Sequence, residues 1–239
     1  MERGAGGLVV GSWAAEMPYL TDRERSAVHR LALDLARGRP VYVYVWDPSP
    51  ATTDYLVDAA AEAGASGAVL PLPLWYRVDE ALVAAVFRRR KWPLPLLVDH
   101  GGAVATSPIQ EASYLALRAD GVLSGMLDGS GDLYRLARLG AADPGAVWCG
   151  DDRVLARVVR LRGVGGVVSL IANAWPSLVA RALADPAVDV ALRERAVAVE
   201  RAGGVFAIKA MLRMGGRAPF DGVTSTSFAG LPEPEEGAR

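Results

Sequence analysis

Apolar positions along this 239-residue chain gather into seven short runs, separated by longer stretches with helical spacing. The runs are GLVVGS (about 6–11), VYVYVW (41–46), GAVLPLP (67–73), LPLLVDH (94–100), GVLSGML (121–127), AVWCGDD (146–152) and GGVVSLIAN (165–173). Most are near-continuous rather than alternating, the pattern of strands covered on both faces. Between the first two, TDRERSAVHRLALDLARG predicts a helix with Thr21 as N-cap, Glu24 as capping-box partner and Gly38 as stop. TTDYLVDAAAEAGA and DDRVLARVVRLRG follow the same scheme.

Repeated β-α order predicts a parallel sheet, either doubly wound or a (β/α)8 barrel. Seven strands are one short of a barrel, and an open slot would expose the edges of its neighbours. The count therefore points to an open sheet or to a strand missing at one end. No low-complexity tract divides the chain, which predicts one domain over residues 1–228. Residues 229–239, ending in GLPEPEEGAR, are polar, acidic and proline-containing and predict a disordered tail.

A formal net charge of −1 gives no electrostatic case for nucleic acid or an anionic membrane. The single cysteine, Cys149, excludes an intrachain disulfide framework and fits a reducing cytoplasm. No apolar run approaches the ~20 residues of a membrane span, and the N-terminus lacks the pattern of a signal peptide. Of 26 basic residues only Lys91 and Lys209 are lysines. Arginine cannot serve as an amine nucleophile at ordinary pH, so imine chemistry has two candidates.

The order and spacing of several segments resemble the dihydrodipicolinate synthase/N-acetylneuraminate lyase family, whose members are (β/α)8 barrels. VVGSWAAEMPYLTDRER is similar to that family's v.Gt.GE...Lt..Er segment, AAEAGASGAVLPLPLWY to a.eaGAdavl..pPyy, and WPLPLLVDH to lPi.lYn.P. GVLSGMLDGSGDL resembles ivGiKdssGdl; CGDD and GVGGVVSLIANAWP resemble sGDD and GakGvISv.aNv.P; AIKAMLRMGG resembles pvKaal...G. The likeness runs from residue 4 to about residue 220. It implies a barrel whose first strand-helix unit is absent from this chain, through start-site choice or as a seven-strand remnant, with further helices at the C-terminal end.

The resemblance also implies a site. Family members hold a 2-oxo acid, usually pyruvate, as a Schiff base on a strand-end lysine, because an imine is an electron sink. Aligned through DGSGDL that lysine falls on Leu127, and a one-residue slip offers only Met126 or Asp128. The proton-shuttling tyrosine of lYn falls on Asp99, and its neighbour on His100. The paired hydroxyls that would hold the acid's carboxylate become Ser12–Trp13 or Trp13–Ala14, and the second tyrosine of the PyY pair becomes Trp75. Glu16, Asp151, Val168 and Asn173 fall on family positions around the barrel mouth. Lys209 matches a family lysine on a C-terminal helix that is not the nucleophile, and Lys91 sits in a basic helix end, RRRKW.

Asp99 and His100 are the acid-base candidates; pleating sends their side chains to opposite faces, so only one enters the mouth. Asp152 reads as a cap for the next helix. Glu16, Asp99, His100, Asp128 and Asp151 lack HxH, HxxE or CxxC spacing, so no metal is expected, and no cofactor is called for. Two functions remain open. One is an enzyme or binder for a small 2-oxo acid or related carboxylate, working without an imine, or a lyase/aldolase-type enzyme that uses a different residue. The other is a silent homologue that pairs with an active family member, within a homo- or hetero-oligomer.

Overall fold

Strands β3 (Gly67–Pro71), β4 (Leu96–His100) and β5 (Gly125–Asp128) are buried along their whole length, which is why their sequences are unbroken apolar runs. They form the centre of one parallel sheet in a computed structural model that describes residues 4–72, 77–101 and 108–214. On one side lie β2 (Val41–Tyr44) and β1 (Leu8–Val10), on the other β6 (Val147–Cys149) and β7 (Val164–Val167). The strands follow one another in chain order, β1 to β7.

Helices alternate with the strands: α1 (Asp22–Ala36), α2 (Pro50–Glu62), α3 (Glu80–Arg88), α4 (Glu111–Ala119), α5 (Leu133–Ala142), a single turn α6 (Leu155–Val158) and α7 (Pro176–Ala184). Then come α8 (Asp189–Arg201) and α9 (Val205–Met214). The capping box read from the sequence is present at α1: Glu24 N donates to Thr21 Oγ1 while Thr21 N donates to Glu24 Oε2 at 2.8 Å. DDRVLARVVRLRG departs from expectation, because its helix is only the four-residue α6. Its two aspartates are drawn into turns, Asp151 toward Arg153 and Asp152 toward the loop after β7, so neither caps a longer helix.

The sheet is curled. Tyr42 on β2 meets Trp148 on β6 edge to face, with ring centroids 4.9 Å apart. Four strand spacings separate β2 from β6, roughly 19 Å in a flat sheet. The wall must therefore bend round on itself, as in a barrel. This contact also identifies the interior face. Register pairs Tyr42 with Gly67, Tyr44 with Val69, Leu97 with Gly125, Asp99 with Leu127 and Leu127 with Trp148, so all of these point inward. Glycine is required at 67, where a Cβ would lie 2.6 Å from the Tyr42 ring. The two aromatic rings thus fill the barrel floor against backbone, which leaves the upper layer of Tyr44, Asp99 and Leu127 to line the mouth.

Helices cover the other face. Phe87, Tyr114, Leu117, Leu136 and Trp175 are essentially inaccessible there, each contributing about 1.5–3 kcal/mol through burial. The two outer strands differ from the rest: β1 and β7 are only half-buried, and each pairs on one side alone among the described residues. Among the described residues, the seven strands and their helices form the curled wall of a (β/α)8-type barrel. Among the described residues no helix is long and apolar enough to cross a membrane.

Candidate functional site

The C-terminal ends of β2, β4 and β5 bring together the inward-facing polar groups. Asp99 on β4 is 8% exposed, and Tyr44 on β2 donates its phenolic hydrogen to Asp99 Oδ2 at 2.9 Å, reaching past β3. Burial pushes the Asp99 carboxyl up to about 7; the Tyr44 hydrogen bond pulls it partly back, and the nearby Asp128 charge adds to the rise. Burial and the neighbouring Asp99 carboxylate push the Tyr44 phenol well above its ordinary range, so it remains a donor. Leu127, the register partner of Asp99, is 5% exposed and stands beside Gly150, where a Cβ would lie 3.2 Å from Leu127 Cδ1. The mouth therefore holds a carboxyl poised near neutrality, a fixed phenol and, at the register position beside the carboxyl, an aliphatic side chain.

His100, the other acid-base candidate, turns outward. It shares register with Asp128, and both lie under the helices. Ile109 N donates to His100 Nδ1 at 3.2 Å, which fixes that nitrogen as an acceptor. Burial and the Arg135 guanidinium hold the imidazole below its ordinary pKa, against opposing pulls from Asp128 and Glu80. Asp128 accepts from Arg135 Nε at 2.8 Å and from Ser130 N at 2.9 Å. This network joins β4 and β5 to α5 on the outer face, so of the Asp99–His100 pair only Asp99 reaches the interior.

The segment after β1 makes two tight 3-10 turns, Trp13–Ala15 and Met17–Tyr19. Ser12 Oγ accepts from Ala14 N at 3.2 Å, a capping role. Trp13 packs against Trp46 with centroids 6.2 Å apart, and its buried Nε1–H donates to no described residue. Glu16 adopts φ 55°, a conformation that non-glycine residues rarely take, and its carboxylate forms an ion pair with Lys209. The pair ties the segment after β1 to α9. That same pair engages Lys209, one of the two lysines of the chain.

At the ends of β6 and β7 the polar groups mainly hold turns. Asp151 is buried and takes Arg153 Nη2 at 2.6 Å. Asp152 does not cap the following helix: it accepts from Ser169 Oγ at 2.5 Å, Leu170 N at 3.0 Å and Ile171 N at 3.2 Å, bracing the loop after β7. Burial raises its carboxyl to about 6 despite those three donors. Val168 donates its backbone N–H to Cys149 O at 2.8 Å, and Asn173, exposed, donates Nδ2 to Leu170 O within its own loop. Cys149 is buried with its thiol pushed up to about 12, an unreactive state. Trp75 lies outside the described residues. Among the described residues no group of three or more His, Cys, Asp or Glu side chains is arranged to hold a metal.

Tyr44 is the site residue that the sequence reading missed. The signal was available in VYVYVW: period-two alternation sets Tyr42, Tyr44 and Trp46 on one face, opposite three valines.

This wall and its topology are those of known barrels. The chain superposes on the dihydrodipicolinate synthase of Aquifex aeolicus with a TM-score of 0.80 at 18% identity, over 91% of this chain and 79% of that one. A prophage protein of the dihydrodipicolinic acid synthase family from E. coli K12, solved in complex with pyruvate, gives a TM-score of 0.79 at 23% identity over 98% and 84%. In sequence, the chain is 31% identical over 204 residues to an uncharacterised DapA-like lyase of Halobacterium salinarum, covering 84% of this chain and 66% of the relative. It is 31% identical over 183 residues to a 4-hydroxy-tetrahydrodipicolinate synthase of Salinibacter ruber, covering 74% and 60%. The chain thus spans about two thirds or less of the length of these curated relatives. Residues 1–187 match the model of the dihydrodipicolinate synthetase family, and the chain belongs to that family.

Proposed function

We propose that this protein binds a small 2-oxo acid or related carboxylate in the barrel mouth and moves protons on it without forming an imine. One observation carries the reading: the inward-facing carboxyl of Asp99, with a pKa of about 7, held by the Tyr44 phenol. A base of that strength accepts a proton from a carbon next to a carbonyl and returns it as an acid near neutral pH. The phenol supports the carboxylate when the proton leaves, and its own proton stays in place. Leu127 supplies no amine, and the resemblance puts the family's lysine at that position.

The test is solvent deuterium exchange into pyruvate and a panel of 2-oxo and 2-hydroxy acids, followed by NMR. Exchange by the wild type, rising through pH 7 and lost in Asp99→Asn, is the expected result. Borohydride added to the pyruvate incubation should leave the intact mass unchanged. A trapped adduct on Lys91 or Lys209 would sink the non-imine mechanism. A protein that binds no acid and co-purifies with an active family member would instead establish the silent-partner reading.

A further inference from the structure

Beside the barrel mouth lies a concavity of about 660 Å³ between the turn after β5, the segment after β6, and α8. Its wall carries Arg153, Arg157, Arg193 and Arg201 against the carboxylates of Asp151 and Glu200. The arginines fall into two classes. Arg153 is fixed, donating to Asp151 at 2.6 Å and bridging to Glu200 at 3.3 Å, while Arg157 Nε donates to Asp189 at 3.1 Å. Glu200 and Asp189 belong to α8, so two carboxylates of that helix are spent on arginines from the barrel. Asp189 and Arg193 are spaced i,i+4, as neighbours on a helix are, yet Asp189 turns to Arg157. Arg193 and Arg201 are left exposed on the concavity with no ion pair or hydrogen bond to any described residue.

We propose that this concavity is an anion-binding site, in which Arg193 and Arg201 take the phosphate or carboxylate oxygens of a small multiply charged acid. Eight residues of helix set the two Cα atoms about 12 Å apart along α8, a span that suits a ligand with more than one anionic group. Each guanidinium offers a planar pair of donors that matches such oxygens. Arg153 keeps the Asp151 carboxylate neutralised at the back of the site, so the approaching anion meets net positive charge. This site does not depend on proton transfer at Asp99.

Calorimetric titration with inorganic phosphate and, separately, citrate tests it, at fixed low ionic strength with chloride as the control anion. The wild type is expected to bind at least one of them saturably at millimolar concentrations. The Arg193→Gln/Arg201→Gln double variant, both positions being exposed, should keep its unliganded melt and lose affinity about tenfold or more. The paired lysine variant should retain part of the affinity, and Asp99→Asn should retain all of it, which separates this site from the chemistry in the mouth. Preference for phosphate assigns a phosphorylated ligand, preference for citrate a polycarboxylate. No saturable binding by the wild type, or equal binding by the double glutamine variant, overturns the proposal.

Discussion

Asp99 makes a residue-scale cost visible in the pH dependence of folding. An aspartate in the unfolded chain releases its proton near pH 3.9, whereas the folded protein holds this one until about 7. Between those values the native state binds more protons than the unfolded chain, so stability declines as pH rises through the window and levels off above it. Asp99→Asn removes the ionisation while keeping an oxygen for the Tyr44 hydroxyl. The variant should therefore melt higher than wild type above pH 7, by a few kcal/mol at most at ~1.4 kcal/mol per unit, with the advantage fading toward pH 4. Identical melting at every pH would mean that Asp99 is not a buried titrating group. Tyr44→Phe acts in the opposite sense on the carboxylate: with the hydrogen bond gone, the Asp99 pKa climbs further, and any base-dependent rate shifts its rise to higher pH. An unmoved profile would disconnect the two side chains. From sequence, Asp99 and His100 were equally placed, because a one-residue register decides which enters the mouth. The paired strands, not the local pattern, settle that choice.

Elements were more legible than their ends. Apolar runs and caps located all seven strands and the long helix α1, since burial on both faces and the capping box leave direct marks in the sequence. The helix after β6 was not legible as a single turn, because aspartates at a helix start look alike whether they cap that helix or reach a neighbouring loop. Asp152 shows the difference: its three donors lie seventeen to nineteen residues away. Asp152→Ala leaves those donors without an acceptor and is expected to cost about 1–3 kcal/mol. Chemical denaturation with an intact barrel signal would measure it, and a loss of a few tenths would assign the bracing to other contacts. Nor did the sequence reveal the arginine-lined concavity, since it depends on which carboxylates of α8 turn toward the barrel.

At the scale of the whole molecule, protection should fall from the centre of the wall to its two outer strands. β3 to β5 are fully buried and paired on both sides, while β1 and β7 are half-buried with one partner each among the described residues. Amide hydrogen exchange is expected to be fastest in Leu8–Val10 and Val164–Val167 and slowest in Leu96–His100. Uniform protection across all seven strands would mean that another segment covers the outer pair. The bond from Tyr44 to Asp99 has a mechanical meaning at this scale. It joins β2 to β4 over the intervening strand and so acts as a strut across the curvature of the wall. A carboxyl oxygen can accept the phenol hydrogen whether or not its twin carries a proton, so the strut holds in both charge states. A proton can then come and go while the barrel keeps its shape, and the reorganisation that accompanies the transfer falls on the ligand and the surrounding water.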